Sequence, residues 1–334
     1  MKLGTSLRFL FPTGEQTYPM FKQALAQMPR GAFIERPMGA FDTATQARHV
    51  LEIAAAARAA GLDTLLFGDN HAVSSGFANS FAPIPTVARM LAVTGSMRVG
   101  MVLLAPFYPP LLLAEQLGTL AAFASAPLIV TLANGGRAQA FDAYGIQMNS
   151  RARRLEELAA VLRPLLAGER VTFAGKYVRL DRAQISPLPP APVDIWIAGT
   201  VPAAAARAGT IGDGWLSGQN CSDAEVAMQL DVYRNAAAKA GRRTHAVLRR
   251  DVFVADTDAA AHAEVDKVLA EGYRGTGKAD LLVGAPDTVV ERLRRYRAMG
   301  FDEGMVRHIT GDHALMLRSF ELIGERVVPQ IRDL

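Results

Sequence analysis

One ten-residue pattern occurs three times in this chain: RAAGLDTLLF at 58–67, RAGTIGDGWL at 207–216 and RAMGFDEGMV at 297–306. Each copy ends a helix, stops it at glycine, and sets an acid at the mouth of a new apolar strand. Helices alternating with short buried strands point to a parallel sheet, because parallel strands need a crossover between them. Read in order, strands are expected at 2–11, 62–68, 98–104, 128–133, 193–197, from Asp213, at 245–255 and at 303–309. Helices are expected at about 44–60, 85–93, up to Leu120, 151–166, after Pro202, 223–240, 258–271, 286–299 and 313–328, with a small hairpin at 170–180. Eight strands with helices between them predict a (β/α)8 TIM barrel with insertions, one domain over 1–334. A doubly wound sheet is the structural alternative. It wants Gly-x-Gly-x-x-Gly after the first strand, and the sequence has none there.

Half of the 334 residues are hydrophobic, which suits a large core. The 36 basic and 32 acidic residues leave a net charge of only +4, interleaved along the chain, so nucleic-acid binding is not expected. The single cysteine, Cys221, excludes an intramolecular disulfide and a cysteine-based metal site. The apolar span 99–134 is broken by Pro106, Pro109, Pro110, Glu115 and Pro127, so it reads as strand, helix and strand rather than a membrane span. No signal peptide is evident, and a cytoplasmic protein is expected.

Three places could carry chemistry. In PVDIWIAGTVPAAAARAG, from Pro192 to Gly209, a strand ends at Ala198-Gly199-Thr200 and Pro202 opens a helix. A glycine, a hydroxyl and a helix start form a phosphate-sized anion site, although a glycine after a strand is most often a plain turn. Asp69-Asn70-His71 lies just past the second strand, where barrel enzymes place their chemistry; a solvated loop histidine is the plainer reading. Arg151, Arg153 and Arg154 open a helix ahead of Glu156-Glu157, as a solvated face would, or reach an anion above the barrel. GYRGTGKA at 272–279 nearly spells a P-loop but has Ala279 at the metal-binding position and follows a helix, so it is read as a loop. No second histidine or acid sits at helical ligand spacing from His71, so a metal there is not expected.

With these pieces in place the sequence resembles the bacterial luciferase-like flavin monooxygenases. The likeness is carried by GLDTLLFGDNH (61–71), RVGMVLLAPFYPPLLLAEQLGTLAAF (98–123), the run 140–180, PVDIWIAGTVPAAAARAGTIGDGWL (192–216), 283–306 and the tail FELIGERVVPQIR. It implies a dimeric (β/α)8 barrel holding reduced FMN, or alternatively the deazaflavin coenzyme F420, across the strand C-termini. By position, Leu104-Ala105 would back the ring and Asn134 border it. Ala198, Gly199 and Thr200 would meet the phosphate with help from Arg153, and His71 would stand over the cavity beside Asp69. The general barrel rule puts phosphate after strands seven and eight; the family pattern puts it after the fifth. The family's Ser-Gly-Gly-Arg turn before the fourth strand is Ser125-Ala126-Pro127 here, and the glycine-rich patch instead follows that strand as Asn134-Gly135-Gly136-Arg137. The long loop 12–41 and the Gly-rich stretch 272–285 are expected as lids.

The activity so implied is oxygenation of a small organic substrate by reduced FMN and dioxygen, with a separate flavin reductase as partner. Hydride transfer from F420 and non-catalytic flavin binding are the alternatives.

Overall fold

The computed structural model describes residues 1–7, 10–12, 43–71, 78–270, 273 and 276–332. Its strands are β1 (Lys2–Leu7), β2 (Thr64–Gly68), β3 (Arg98–Leu104), β4 (Ile129–Ala133), β5 (Asp194–Gly199), β6 (Gly214–Ser217), β7 (Ala246–Val254) and β8 (Glu303–His308). Each pairs in parallel with the next, β6 pairs β7 through Trp215↔Ala246, and β8 returns to β1 through Lys2↔Glu303. The ring is closed, a (β/α)8 barrel. The crossover helices are α1 (Thr43–Ala59), α2 (Pro83–Thr94), α3 (Pro110–Phe123), α4 (Arg151–Leu166), α5 (Pro202–Ile211), α6 (Asp223–Lys239) and α7 (Pro286–Met299), and α8 (His313–Leu322) follows the last strand. None is long and apolar enough to cross a membrane among the described residues.

Alternation along the strands divides the apolar residues into two cores. Leu66, Val102, Ile129, Trp196, Leu216, Val247 and Met305 fill the barrel, while a larger cluster packs strands against helices. Trp196 fits inside because its neighbour on β6 is Gly214, where a Cβ would sit 2.8 Å from the indole.

The recurring acid has a structural role in each copy. Asp63 accepts the backbone N–H of Leu3 at 2.9 Å, Asp213 that of Ile195 at 2.9 Å, and Asp302 that of Ala246 at 2.8 Å. Each carboxylate leads into one strand and pins the start of its neighbour. Such charge-assisted bonds to otherwise unpaired strand ends fix the register at the barrel base.

Several boundaries differ from expectation. The first strand stops at Leu7, and Leu10–Pro12 pairs instead with Ala78–Ser80, antiparallel, outside the barrel. The stretch 272–285 was expected as a loop, but Leu282–Gly284 forms a short strand on the end of β7. A helix at Ala138–Ala143 was not anticipated. The last helix runs slightly beyond its expected end: after Leu322 it widens into a π-turn at Ile323–Val327, just ahead of Pro329, which lacks an N–H to donate, and resumes at Val328–Ile331. The proposed lid 12–41 lies outside the described residues except for Pro12, and residues 272, 274 and 275 of the second lid also lie outside them.

Candidate active site at the barrel mouth

The C-terminal ends of β2 to β7 surround one cavity of about 620 Å³, within the range typical of small-molecule sites. Its walls are largely apolar, with Val102, Leu104, Phe107, Ala133, Phe141 and Leu216. Polar groups enter from His71, Asn134, Arg137, Arg151, Thr200, Ser217 and Arg249.

The strand end expected to meet an anion is shaped by close approach rather than by a special turn. Gly199 is not in the left-handed region, but a Cβ there would lie 2.2 Å from the Ala204 Cβ. A side chain at 199 would therefore push the strand end off the first turn of α5. That helix starts at Pro202 with no side-chain cap from Val201; the Ala204 and Ala205 N–H groups donate to the Val201 carbonyl at 2.9 and 3.1 Å, so an anion here would meet chiefly the positive end of the helix dipole. The Thr200 carbonyl is held from behind by the Gln229 amide at 3.2 Å and the Cys221 thiol at 3.6 Å. Burial pushes the Cys221 thiol up, so it stays protonated as a donor.

On the opposite wall stands Asp69, its side chain 1% exposed. Oδ2 accepts three donors: the Leu104 backbone N–H at 3.0 Å, the Tyr108 hydroxyl at 2.9 Å and His71 Nε2 at 3.2 Å. Burial first, then the adjacent Asp69 charge, push the Tyr108 phenol far up, so it remains a donor. With Oδ2 accepting, His71 carries its hydrogen on Nε2 and keeps a lone pair on Nδ1. Nδ1 lies 2.8 Å from the Tyr144 hydroxyl. This is an acid–histidine pair with its tautomer set from behind, as in other sites where a carboxylate orients an imidazole.

Asn134 faces the cavity, and its buried Oδ1 has no hydrogen-bond partner among the described residues. An orphaned acceptor in an apolar cleft wants an N–H from a ligand. The flavin and deazaflavin rings both carry such an N–H beside two carbonyls, so the residues present fit either group.

Of the residues expected at a site, Asp69, His71, Leu104, Asn134, Ala198, Gly199 and Thr200 line one cavity. Two do not. Ala105 is buried in the turn Ala105–Phe107 behind Leu104. Arg153 turns to Glu157, with Nε 2.9 Å from Oε1, and it is Arg151, two residues earlier on the same helix, that reaches the cavity wall. Helical geometry separates these two by about 200°, so only one can face the barrel axis. Sequence reasoning missed Phe107, Tyr108 and Tyr144. The first two follow directly on β3, where a barrel places its site, so that rule could have found them.

Outside the cavity, His49, Glu52 and His313 bring metal-type donors together on α1 and α8. The two imidazoles stack face to face at 3.7 Å and 7°. Parallel rings so spaced cannot both aim an in-plane lone pair at one ion.

The sequence model of the luciferase-like monooxygenases matches residues 28–303. The chain belongs to that family. Among luciferase-like relatives, an FMNH(2)-dependent dimethylsulfone monooxygenase of Pseudomonas fluorescens is 25% identical over 282 residues, covering 73% of this chain and 76% of that one. An F420-dependent glucose-6-phosphate dehydrogenase of Nakamurella multipartita is 26% identical over 317 residues, covering 85% and 92%. The luciferase-like fold extends over the whole chain: the monooxygenase RslO1 of Streptomyces bottropensis superimposes with a TM-score of 0.78 over 98% of this chain and 99% of its own, at 21% identity. The family thus includes oxidoreductases of both cofactor types.

Proposed function

We propose that this protein is a monooxygenase that uses reduced FMN and dioxygen to oxygenate a small organic substrate. The observation that carries this reading is the convergence on one apolar cavity of an anion notch, an orphaned ring-edge acceptor and an oriented histidine. Gly199, Thr200 and the start of α5 would hold the phosphate, Arg151 adding charge from the rim. Leu104 and Asn134 would meet the ring. Bound there, reduced FMN would supply two electrons to dioxygen. The apolar walls keep water from that chemistry, and His71, backed by Asp69, would move a proton through Nδ1.

The likeness to the dimethylsulfone monooxygenase across three quarters of both chains supports dependence on FMN. F420-dependent hydride transfer is the second reading, supported by the comparable likeness to the glucose-6-phosphate dehydrogenase. No dinucleotide fingerprint follows the first strand, so a separate reductase is proposed to supply the reduced flavin. A homodimer in the cytoplasm completes the proposal. Supplying reduced FMN from an added reductase under 18O-labelled dioxygen tests it: label in an organic product supports oxygenation. Turnover that needs reduced F420 and consumes no dioxygen would support the second reading.

A further inference from the structure

His71 lines the cavity, yet both ring nitrogens are engaged elsewhere. Nε2 is turned to Asp69, and the lone pair on Nδ1 meets the Tyr144 hydroxyl at 2.8 Å. The one basic nitrogen of the pair therefore communicates through a phenol. Tyr144 is 47% exposed and follows the helix Ala138–Ala143 that walls the cavity. Its ring stacks on Phe107 at 4.5 Å and 30°. Phe107 in turn lies 5.1 Å from the His71 ring and 4.9 Å from Phe141. Burial and the Asp69 charge push the Tyr144 phenol up, so it keeps its hydrogen to donate.

We propose that the Tyr144 hydroxyl is the group that exchanges a proton with the substrate, and that the substrate is a planar, apolar molecule bearing an ionisable hydroxyl, a phenol or an enol. This rests on reading the mouth as an oxygenating site, where loss of the hydroxyl proton makes a ring or alkene carbon electron-rich enough to take oxygen. The step balances. The substrate O–H gives its proton to the Tyr144 oxygen as Tyr144's own hydrogen passes to His71 Nδ1. The substrate is left as an oxyanion, and the imidazolium forms beside the Asp69 carboxylate. The flat faces of Phe107 and Phe141 suit an aromatic or conjugated frame, which packs against rings at offset or edge-on geometry.

The test uses the full chain without cofactor and 4-nitrophenol, whose absorbance distinguishes phenol from phenolate. Wild-type protein is expected to bind it and raise the bound phenolate-to-phenol ratio about tenfold over the free probe, the effect of one charge-assisted hydrogen bond. Tyr144→Phe keeps the stack on Phe107 and removes the relay; it should bind the probe within about threefold and leave its ionisation as in solution. His71→Asn should lose the ionisation as well. A wild-type protein that fails to bind or ionise the probe overturns the proposal, as does full ionisation in either variant. Anaerobic titration of wild type and Tyr144→Phe with reduced FMN reads the underlying assignment separately. Flavin that fails to bind wild type removes the oxygenase reading while the probe result stands on its own.

Discussion

Asp69 Oδ2 accepts the backbone N–H of Leu104 at 3.0 Å, tying the end of β2 to the end of β3. The carboxylate that orients His71 thus also holds the strand end proposed to back the flavin ring. Asp69→Asn keeps the shape but loses the charge and turns one acceptor into a donor. It should cost about 1–3 kcal/mol of stability, since three buried donors lose part of their acceptor. It should also free the His71 tautomer. Thermal unfolding and the 15N chemical shifts of His71 would read both effects; an unchanged tautomer would separate Asp69 from any role in orienting the ring.

His71→Asn retains hydrogen bonding without a basic ring nitrogen. Product formation should slow by about two to four powers of ten, the usual range for one acid–base group, with little change in flavin affinity. Single-turnover kinetics with preformed reduced flavin measures this. A rate within a few-fold of the parent would assign His71 to packing at the rim.

Thr200→Val removes the hydroxyl beside the uncapped start of α5 and keeps the side-chain shape. FMN binding should weaken by about 1–2 kcal/mol. Riboflavin, which lacks the phosphate, should be almost unaffected. Equal losses for the two ligands in parallel titrations would move the phosphate elsewhere.

Glu157 is a structural pin. Burial opposes its charge, but the backbone N–H groups of Tyr177, Lys176 and Val178, with Arg153, outweigh it and hold the carboxyl at about 2. A folded value below the unfolded 4.5 gives stability that is complete above 4.5 and lost as pH falls towards 2. Glu157→Gln should therefore lower the melting temperature most at neutral pH, and the gap to wild type should close on acidification through that window. A gap independent of pH would contradict the assignment.

The fold was legible because its punctuation is local. The three helix–glycine–acid–strand junctions encode both the alternation and, through Asp63, Asp213 and Asp302, the strand register. Much of the candidate site's lining was legible for the same reason, since Leu104 ends a strand, Asn134 and Thr200 each follow directly on one, and His71 lies three residues past another. The rest depends on rotation and approach. Whether Arg151 or Arg153 faces the barrel is decided by where α4 starts, after a 3-10 turn at Met148–Ser150 that has no strong sequence mark. Gly199 looks in sequence like a turn glycine, and only the packed α5 reveals that it is there for lack of room. Tyr144 meets His71 across 73 residues, a contact no spacing rule supplies.

The proposed oxygenase would hold reduced FMN at the barrel mouth. Anaerobic equilibrium titration of the purified protein with reduced FMN, beside an identical titration with reduced F420, tests it most directly. Saturable binding of reduced FMN is expected, weakened by Thr200→Val, with weaker binding of F420. Tight binding of F420 with no saturable binding of FMN would contradict the proposal.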